Sequence, residues 1–336
     1  MLKKIAKEII SHILVYSGMA MLFYRLKIRK CPNRFRILVY HRVNNQRHIR
    51  NPVAKAMSIS VRRFERQLKF LQKYFNIVSL DSITNALGQK KALPRHSLAI
   101  TLDDGYRDNY LYAFPLLKKY KLPATIFLTT GYLGKQSNLW WDTLHQITAM
   151  SESKELWQFC ERRLNIKFRG VRRTRYLQLV DYLKSIDISA RDQFIGELKS
   201  QFQIIKGKDD LRAELLAPAE VKEMSAAGIS FGSHTVSHLI VSKSDEQLVK
   251  QELIQSKKEI EEITGRDVFA FAYPNGAADD FDEKSIELLQ ECGYELALTN
   301  IGGINSIADN QFTLKRIGVY GNDSMAAFIC RCFGLF

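Results

Sequence analysis

Ser97-Leu98-Ala99-Ile100-Thr101-Leu102-Asp103-Asp104-Gly105 is the stretch that decides the fold. Its first six residues form an apolar run of strand length, and the run stops on two carboxylates and a glycine. In α/β proteins a buried strand delivers the charged residues at its end to the open rim, where ligands bind. A second apolar run, Ile229 to Phe231, ends in a similar way, in Gly232-Ser233-His234-Thr235-Val236-Ser237-His238. Two histidines and one carboxylate suit a divalent transition metal and leave coordination positions open for water and substrate. Together the two stretches describe the metal site of a hydrolase.

Two adjacent carboxylates repel each other as free anions, so one binds a cation or proton while the other is left to work as a base. Asp104 is favoured as the ligand and Asp103 as the base. His234 and His238 can share one metal from a helical turn or from a curled loop, and the Ser, Thr and Val around them favour the loop. Taken singly, Asp-Asp-Gly is also the composition of an ordinary turn, and a lone pair of histidines at this spacing needs no metal. The reading rests on both motifs closing a buried strand.

On these residues the chain resembles the polysaccharide deacetylases of carbohydrate esterase family 4, the NodB-homology domain. Thr101-Leu102-Asp103-Asp104-Gly105 resembles that family's T-F-D-D-G, and His234-Thr235-Val236-Ser237-His238 resembles its H-[ST]-x-x-H. The resemblance implies an α/β fold, a distorted (β/α) barrel of about seven strands. It also implies Asp103 as catalytic base, Asp104, His234 and His238 as ligands of one divalent ion, most often Zn2+, and an acetylated glycan as substrate.

Two further motifs of the family are degraded. Phe271-Ala272-Tyr273-Pro274-Asn275-Gly276 aligns with R-x-P-Y through Pro274, which puts Ala272 where a base-orienting Arg is expected and Asn275 where a Tyr is expected. Leu298-Thr299-Asn300 falls where the family has L-x-H, so Asn300 stands in place of the general-acid histidine. His41, in Tyr40-His41-Arg42-Val43 at the end of a first strand, is a candidate acid, and a Y-H there also occurs in the branch of the family acting on exopolysaccharides. Arg316, in a late strand, is a candidate orienter of Asp103. Each also has an ordinary alternative: a hydrogen-bonded histidine at a strand end, and an exposed arginine. Tyr106, Tyr273, Pro274, Asn275, Trp140 and Trp141 are the candidate substrate contacts.

The 336 residues, 46% hydrophobic and 25% charged, suffice for one barrel and an insertion. Strands are expected near Ile37 to Tyr40, Asn76 to Leu80, Leu98 to Leu102 and Ala124 to Thr129, with helices such as Val61 to Tyr74 and Leu111 to Tyr120 between them. The barrel spans 31–336 and is interrupted at about 136–216 by a charged segment poor in Gly and Pro, with apolar residues at helical spacing, which predicts a helical insertion. Trp140 and Trp141 at its entry either stack on a sugar or anchor the insertion.

Residues 1–30 carry Lys3, Lys4 and Lys7 before, and Arg25, Lys27, Arg29 and Lys30 after, a broken apolar run from Ile9 to Tyr24. This is too short and polar for a span of about 20 residues. It fits an amphipathic helix lying on anionic lipid or packed on the barrel. The expectation is membrane association, with the cytoplasmic face favoured: the five cysteines (Cys31, Cys160, Cys292, Cys330, Cys332) are odd in number and lack metal or redox spacing. The net charge of +15 comes with no nucleic-acid motif, so nucleic acid is not expected as a partner. Oligomeric state is not readable from the sequence. Two alternatives to a deacetylase are a sugar-binding relative with little activity and a non-haem iron oxygenase, which uses the same ligand set but gives Asp103 no role.

Overall fold

The computed structural model describes residues 2–30, 33–45, 52–135, 138–150, 153–202 and 214–335; Cys31 lies outside them. Seven parallel strands close into a barrel: β1 (Arg34–Tyr40), β2 (Ser97–Leu102), β3 (Thr125–Leu128), β4 (Ser230–Ser233), β5 (Ala270–Ala272), β6 (Leu296–Gly302) and β7 (Leu314–Gly318). Closure comes from β1, which pairs with β2 along Arg36 to Tyr40 and with β7 at Leu38 and Val39. The strand expected at Asn76 to Leu80 is only Asn76–Ile77, and it pairs with the first two residues of β2 as an accessory to the barrel. A helix starts at Leu80 because the Ser79 hydroxyl caps it, accepting the Ser82 N–H at 3.2 Å.

Side chains alternate across each strand, and the packing separates cleanly by parity. Leu38, Tyr40, Leu98, Ile100, Leu102, Ile126, Leu128, Phe271, Tyr273 and Ile317 join one cluster with the surrounding helices. Ile37, Ala99, Phe127, Ala270, Ala272, Leu296, Leu298 and Leu314 join another, with Leu80, Ile83 and Leu87 of the helix Leu80–Gly88. The first set faces the outer helices and the second fills the barrel. Continued towards the strand ends, the inner parity falls on His41, Asp103, Asn300 and Arg316, so one rim collects the chemistry.

The amino-terminal helices α1 (Leu2–Tyr16) and α2 (Met19–Lys30) meet at a bend of 85°. They are docked on the barrel. Ser11 and Tyr24 are buried, the Tyr24 ring stacks on Phe333 at 4.1 Å, and its hydroxyl meets His96 Nδ1 at 2.8 Å. Between β3 and β4 the insertion contributes α3 (Trp140–Met150), α4 (Lys154–Leu164), α5 (Arg172–Ser185) and α6 (Ile188–Gln201). These pack around a core of their own, which includes Trp140, Leu144, Trp157, Leu179, Phe194 and Leu198. Among the described residues Cys160, Cys292, Cys330 and Cys332 are free thiols.

Candidate active site

Asp104, His234 and His238 each offer one ligand atom within 4.8 Å of the others. The Oδ1 of Asp104 lies 3.6 Å from Nε2 of His234 and 3.7 Å from Nε2 of His238. Backbone conformation aims these groups. Asp104 sits at φ +73° and Gly105 at +75°, a left-handed pair that turns the chain sharply out of β2. Gly105 is required twice over, since a Cβ there would lie 2.8 Å from the Leu128 side chain. His234 and His238 stand on a loop that curls through left-handed Thr235 and His238. Glu252, on α7 (Glu246–Thr264), ties that loop down, accepting from the N–H groups of Val236 and Ser237 at 2.8 and 2.9 Å.

The three residues fit a divalent ion. His234 Nδ1 lies 2.6 Å from the carbonyl of Ala272; donating there leaves the Nε2 lone pair for a metal. The buried Oδ2 of Asp104 has no hydrogen-bond partner among the described residues, which costs roughly 1–3 kcal/mol unless a cation or proton supplies one. Burial and the neighbouring Asp103 push the Asp104 carboxyl well above the usual range, and burial holds both histidines below theirs. The set therefore competes protons against a metal at the carboxylate and offers neutral imidazoles.

Asp103 is tied into a buried pair. Its two oxygens accept from Nη1 and Nη2 of Arg316 at 2.7 Å each, and both side chains have 0% exposure. Arg316 is in turn held by the Thr299 carbonyl and by Asn300 Oδ1, both at 2.8 Å. Burial alone would raise the Asp103 pKa, but the Arg316 guanidinium, together with His234 and His41 beside it, outweighs burial and the carboxyl is held below its usual range. The guanidinium reaches Asp103 from β7, two strands along the sheet from Ala272 on β5. Asn300 presents no acid; its amide braces Arg316 and donates to the Asn275 carbonyl at 2.8 Å. His41 follows Tyr40, which pairs with Leu102, so it stands level with Asp103 on the neighbouring strand. Burial lowers its pKa to about 4, with Asp103 opposing, so the ring is neutral at pH 7.

The candidate substrate contacts divide. Trp141 packs edge-on against the candidate ligand His238, ring centroids 4.4 Å apart, and its Nε1 donates to the Tyr106 hydroxyl at 3.0 Å. Tyr106 is buried, its hydroxyl donates to Asp142 at 2.9 Å, and the Arg42 guanidinium covers its ring at 4.4 Å. Its side chain offers no surface to a sugar. Tyr273 is buried as well: its parity turns it outward, its ring stacks on Phe281, and its hydroxyl donates to the Phe312 carbonyl at 3.1 Å. Trp140 is buried in the insertion core with Arg191 over one face of its ring at 5.2 Å. Pro274 is buried, and Asn275 accepts from Lys184 at 2.6 Å and donates to Asp280.

Sequence reading passed over Asp142, Lys184 and Arg191. Asp142 is a buried acid whose pKa burial raises to about 6 against the pull of Arg42. Its one signal in the sequence is its place directly after the tryptophan pair.

The profile of the polysaccharide deacetylase family matches residues 90–155 and 160–297, which take in Asp103, Asp104, His234 and His238. The chain belongs to the polysaccharide deacetylase family. Members of this family hydrolyse N-acetyl amide bonds. His41 lies before the matched span, and Asn300 and Arg316 lie after it. Among relatives, a Bacillus subtilis protein named for the same family, YxkH, is 22% identical over 298 residues, 88% of this chain and 75% of that one. The poly-beta-1,6-N-acetyl-D-glucosamine N-deacetylase of Staphylococcus aureus is 31% identical over 150 residues, 40% of this chain and 49% of its own length. Two solved structures share the fold. Deacetylase PplD of Streptococcus pyogenes, in complex with acetate, has a TM-score of 0.57 at 21% identity and covers 87% of this chain and 94% of its own. IcaB from Ammonifex degensii has 0.59 at 19%, covering 90% and 97%.

Proposed function

We propose that this deacetylase is a metal-dependent hydrolase that removes acetyl from N-acetylated amino sugars of a polysaccharide or lipid-linked glycan. The observation that carries the reading is the placement of Asp103, paired to Arg316, directly beside the Asp104/His234/His238 cluster. The name of the staphylococcal relative makes an N-acetylglucosamine polymer the first substrate to try.

Asp104, His234 and His238 would hold the ion, with zinc favoured by two imidazoles and a carboxylate, and when bound it supplies Lewis acidity to water and to the acetamide carbonyl. Asp103 takes a proton from the attacking water. Arg316 keeps that carboxylate ionised and fixes its plane, so the base works by position rather than by a high pKa. The N–H of Tyr106, next after the Asp104-Gly105 turn, is the donor proposed for the oxyanion. The amine must gain a proton as the C–N bond breaks. Asp103 can return the one it took, or His41 can relay it; removing His41 costs about 10²-fold only on the second route.

The test is acetate release from N-acetylglucosamine oligomers by protein stripped with a chelator and reloaded with zinc. Release that falls on stripping and returns on reloading is expected. Oligomer binding without acetate under any metal would instead favour the sugar-binding relative, and bound iron with sugar oxidation would favour the oxygenase.

A membrane surface is the second part of this proposal. Ile9, Ile10, Ile13 and Tyr16 of α1 and Met19, Leu22, Phe23 and Leu26 of α2 are exposed on the outside of the docked pair. Eight adjacent apolar residues, flanked in sequence by seven Lys and Arg, match an interfacial anchor for anionic lipid. Among the described residues no single helix is long and apolar enough to cross a bilayer. Deleting the pair would uncover Phe333, so the cleaner variant replaces Ile9, Ile13, Leu22 and Leu26 with Gln. It should lose sedimentation with phosphatidylglycerol vesicles and keep its fold; retained sedimentation would remove the anchor.

A further inference from the structure

The cleft between the insertion and the barrel is lined by three cations and, among the described residues, by no carboxylate. Lys184, Arg191, Lys243, Trp140, Asn275 and the metal-site residue His238 are among its walls. Lys243 is neutralised: its Nζ lies 3.0 Å from Oδ1 of buried Asp280, whose other oxygen accepts from Asn275 and from the Ala277 N–H. Lys184 is in a different position, donating to the uncharged amide oxygen of Asn275 at 2.6 Å. Arg191, 5% exposed, pairs with the solvent-side Asp192 through Nε, while its buried Nη2 has no hydrogen-bond partner among the described residues. A buried donor left unmade costs about 1–3 kcal/mol, more on a charged group, and burial of the Lys184 ammonium against an amide is only partly offset by the charges of Asp181 and Asp280.

These two cations are rigidly placed. Lys184 lies in the last turn of α5 and Arg191 in the first turn of α6, and Asp187 between them caps α6 by accepting from Ser189 and Ala190 N–H groups at 2.8 and 3.3 Å. Both line the same cleft as His238. A sugar with its acetamide at Asp103 therefore has the cleft within reach.

We propose that Lys184 and Arg191 form an anion subsite, which takes a phosphate or carboxylate substituent of the glycan whose acetamide is presented to Asp103. The substrate class is thus an acidic N-acetylated glycan, favoured over a neutral one, and this rests on the hydrolase reading.

The test compares N-acetylglucosamine 1-phosphate, N-acetylmuramic acid and N-acetylglucosamine. Each is titrated calorimetrically into the full chain, stripped with a chelator so that no anion can bind through a metal, and each is assayed for acetate release by the zinc-loaded protein. At least one charged sugar should bind about tenfold tighter than the neutral one, the worth of one charge-assisted contact. That preference should vanish in Lys184→Gln and Arg191→Gln while affinity for the neutral sugar holds. Which charged sugar gains identifies the group. Arg191 also covers Trp140, so if Arg191→Gln loosens the insertion, the partly exposed Lys184 carries the test alone. Equal binding of all three sugars, or a preference that survives Lys184→Gln, overturns the subsite. A charge preference lost in the variants, with no acetate from any sugar, would keep the subsite and overturn the hydrolase reading; acetate release indifferent to charge would do the reverse.

Discussion

The barrel rim and the helical insertion both wall the same site, yet they reach it by different physics. On the rim, chemistry is an extension of strand parity: the inner positions that pack as Ala99, Leu298 and Leu314 continue into Asp103, Asn300 and Arg316. In the insertion, Trp141, Lys184 and Arg191 stand on the surface of a bundle with its own core, and they meet the site only because that bundle is docked beside it. Rim residues should therefore act on the chemical step, and insertion residues on binding.

The largest effect that would sharpen this contrast is at the metal triad. His234→Ala should lose stoichiometric metal and at least about 10³-fold in acetate release, as removal of an inner ligand does; metal content by elemental analysis checks it. Arg316→Met comes next. It strands a buried carboxylate, so it should cost about 3–5 kcal/mol of stability in a denaturant titration and about 10²-fold in kcat. Adding Asp103→Asn to it should recover part of the stability and none of the rate. If Arg316→Met is as stable as wild type, the pair is not what holds the rim.

Trp141→Ala should be milder, raising KM by about tenfold with kcat nearly kept, because it removes a wall rather than a reacting group. A fall in kcat with KM unchanged would break the division between rim and insertion. Asn300→Ala should be the smallest of the series. It removes one hydrogen bond to Arg316, worth about 1–2 kcal/mol, and a change in rate beyond about tenfold would mean that Asn300 does more than brace.

The same contrast explains what could be read without coordinates. The barrel class and its inner motifs were legible because a strand has period two and ends at a rim, so Asp103, Asp104 and the 234–238 loop declare their place. Tyr273 misled because an alignment through Pro274 says nothing of facing, and the parity it shares with Phe271 sends it outward. Asn76 to Leu80 misled because a serine cap at Ser79 outcompetes the β pattern. Trp140 and Trp141 are chemically identical neighbours, and only the docking of α3 sends one into the bundle core and the other against His238. Lys184 and Arg191 look like the charged face of any solvated helix, and nothing local marks them as lining a cleft.

On the proposed mechanism the ligand set and the base are separate neighbours, Asp104 binding and Asp103 reacting. Asp103→Asn tests it most directly, with metal content and acetate release measured on the same zinc-loaded preparation. One equivalent of metal should be retained and release should fall by at least about 10³-fold, the loss of a positioned base. Near wild-type release with metal still bound would contradict it.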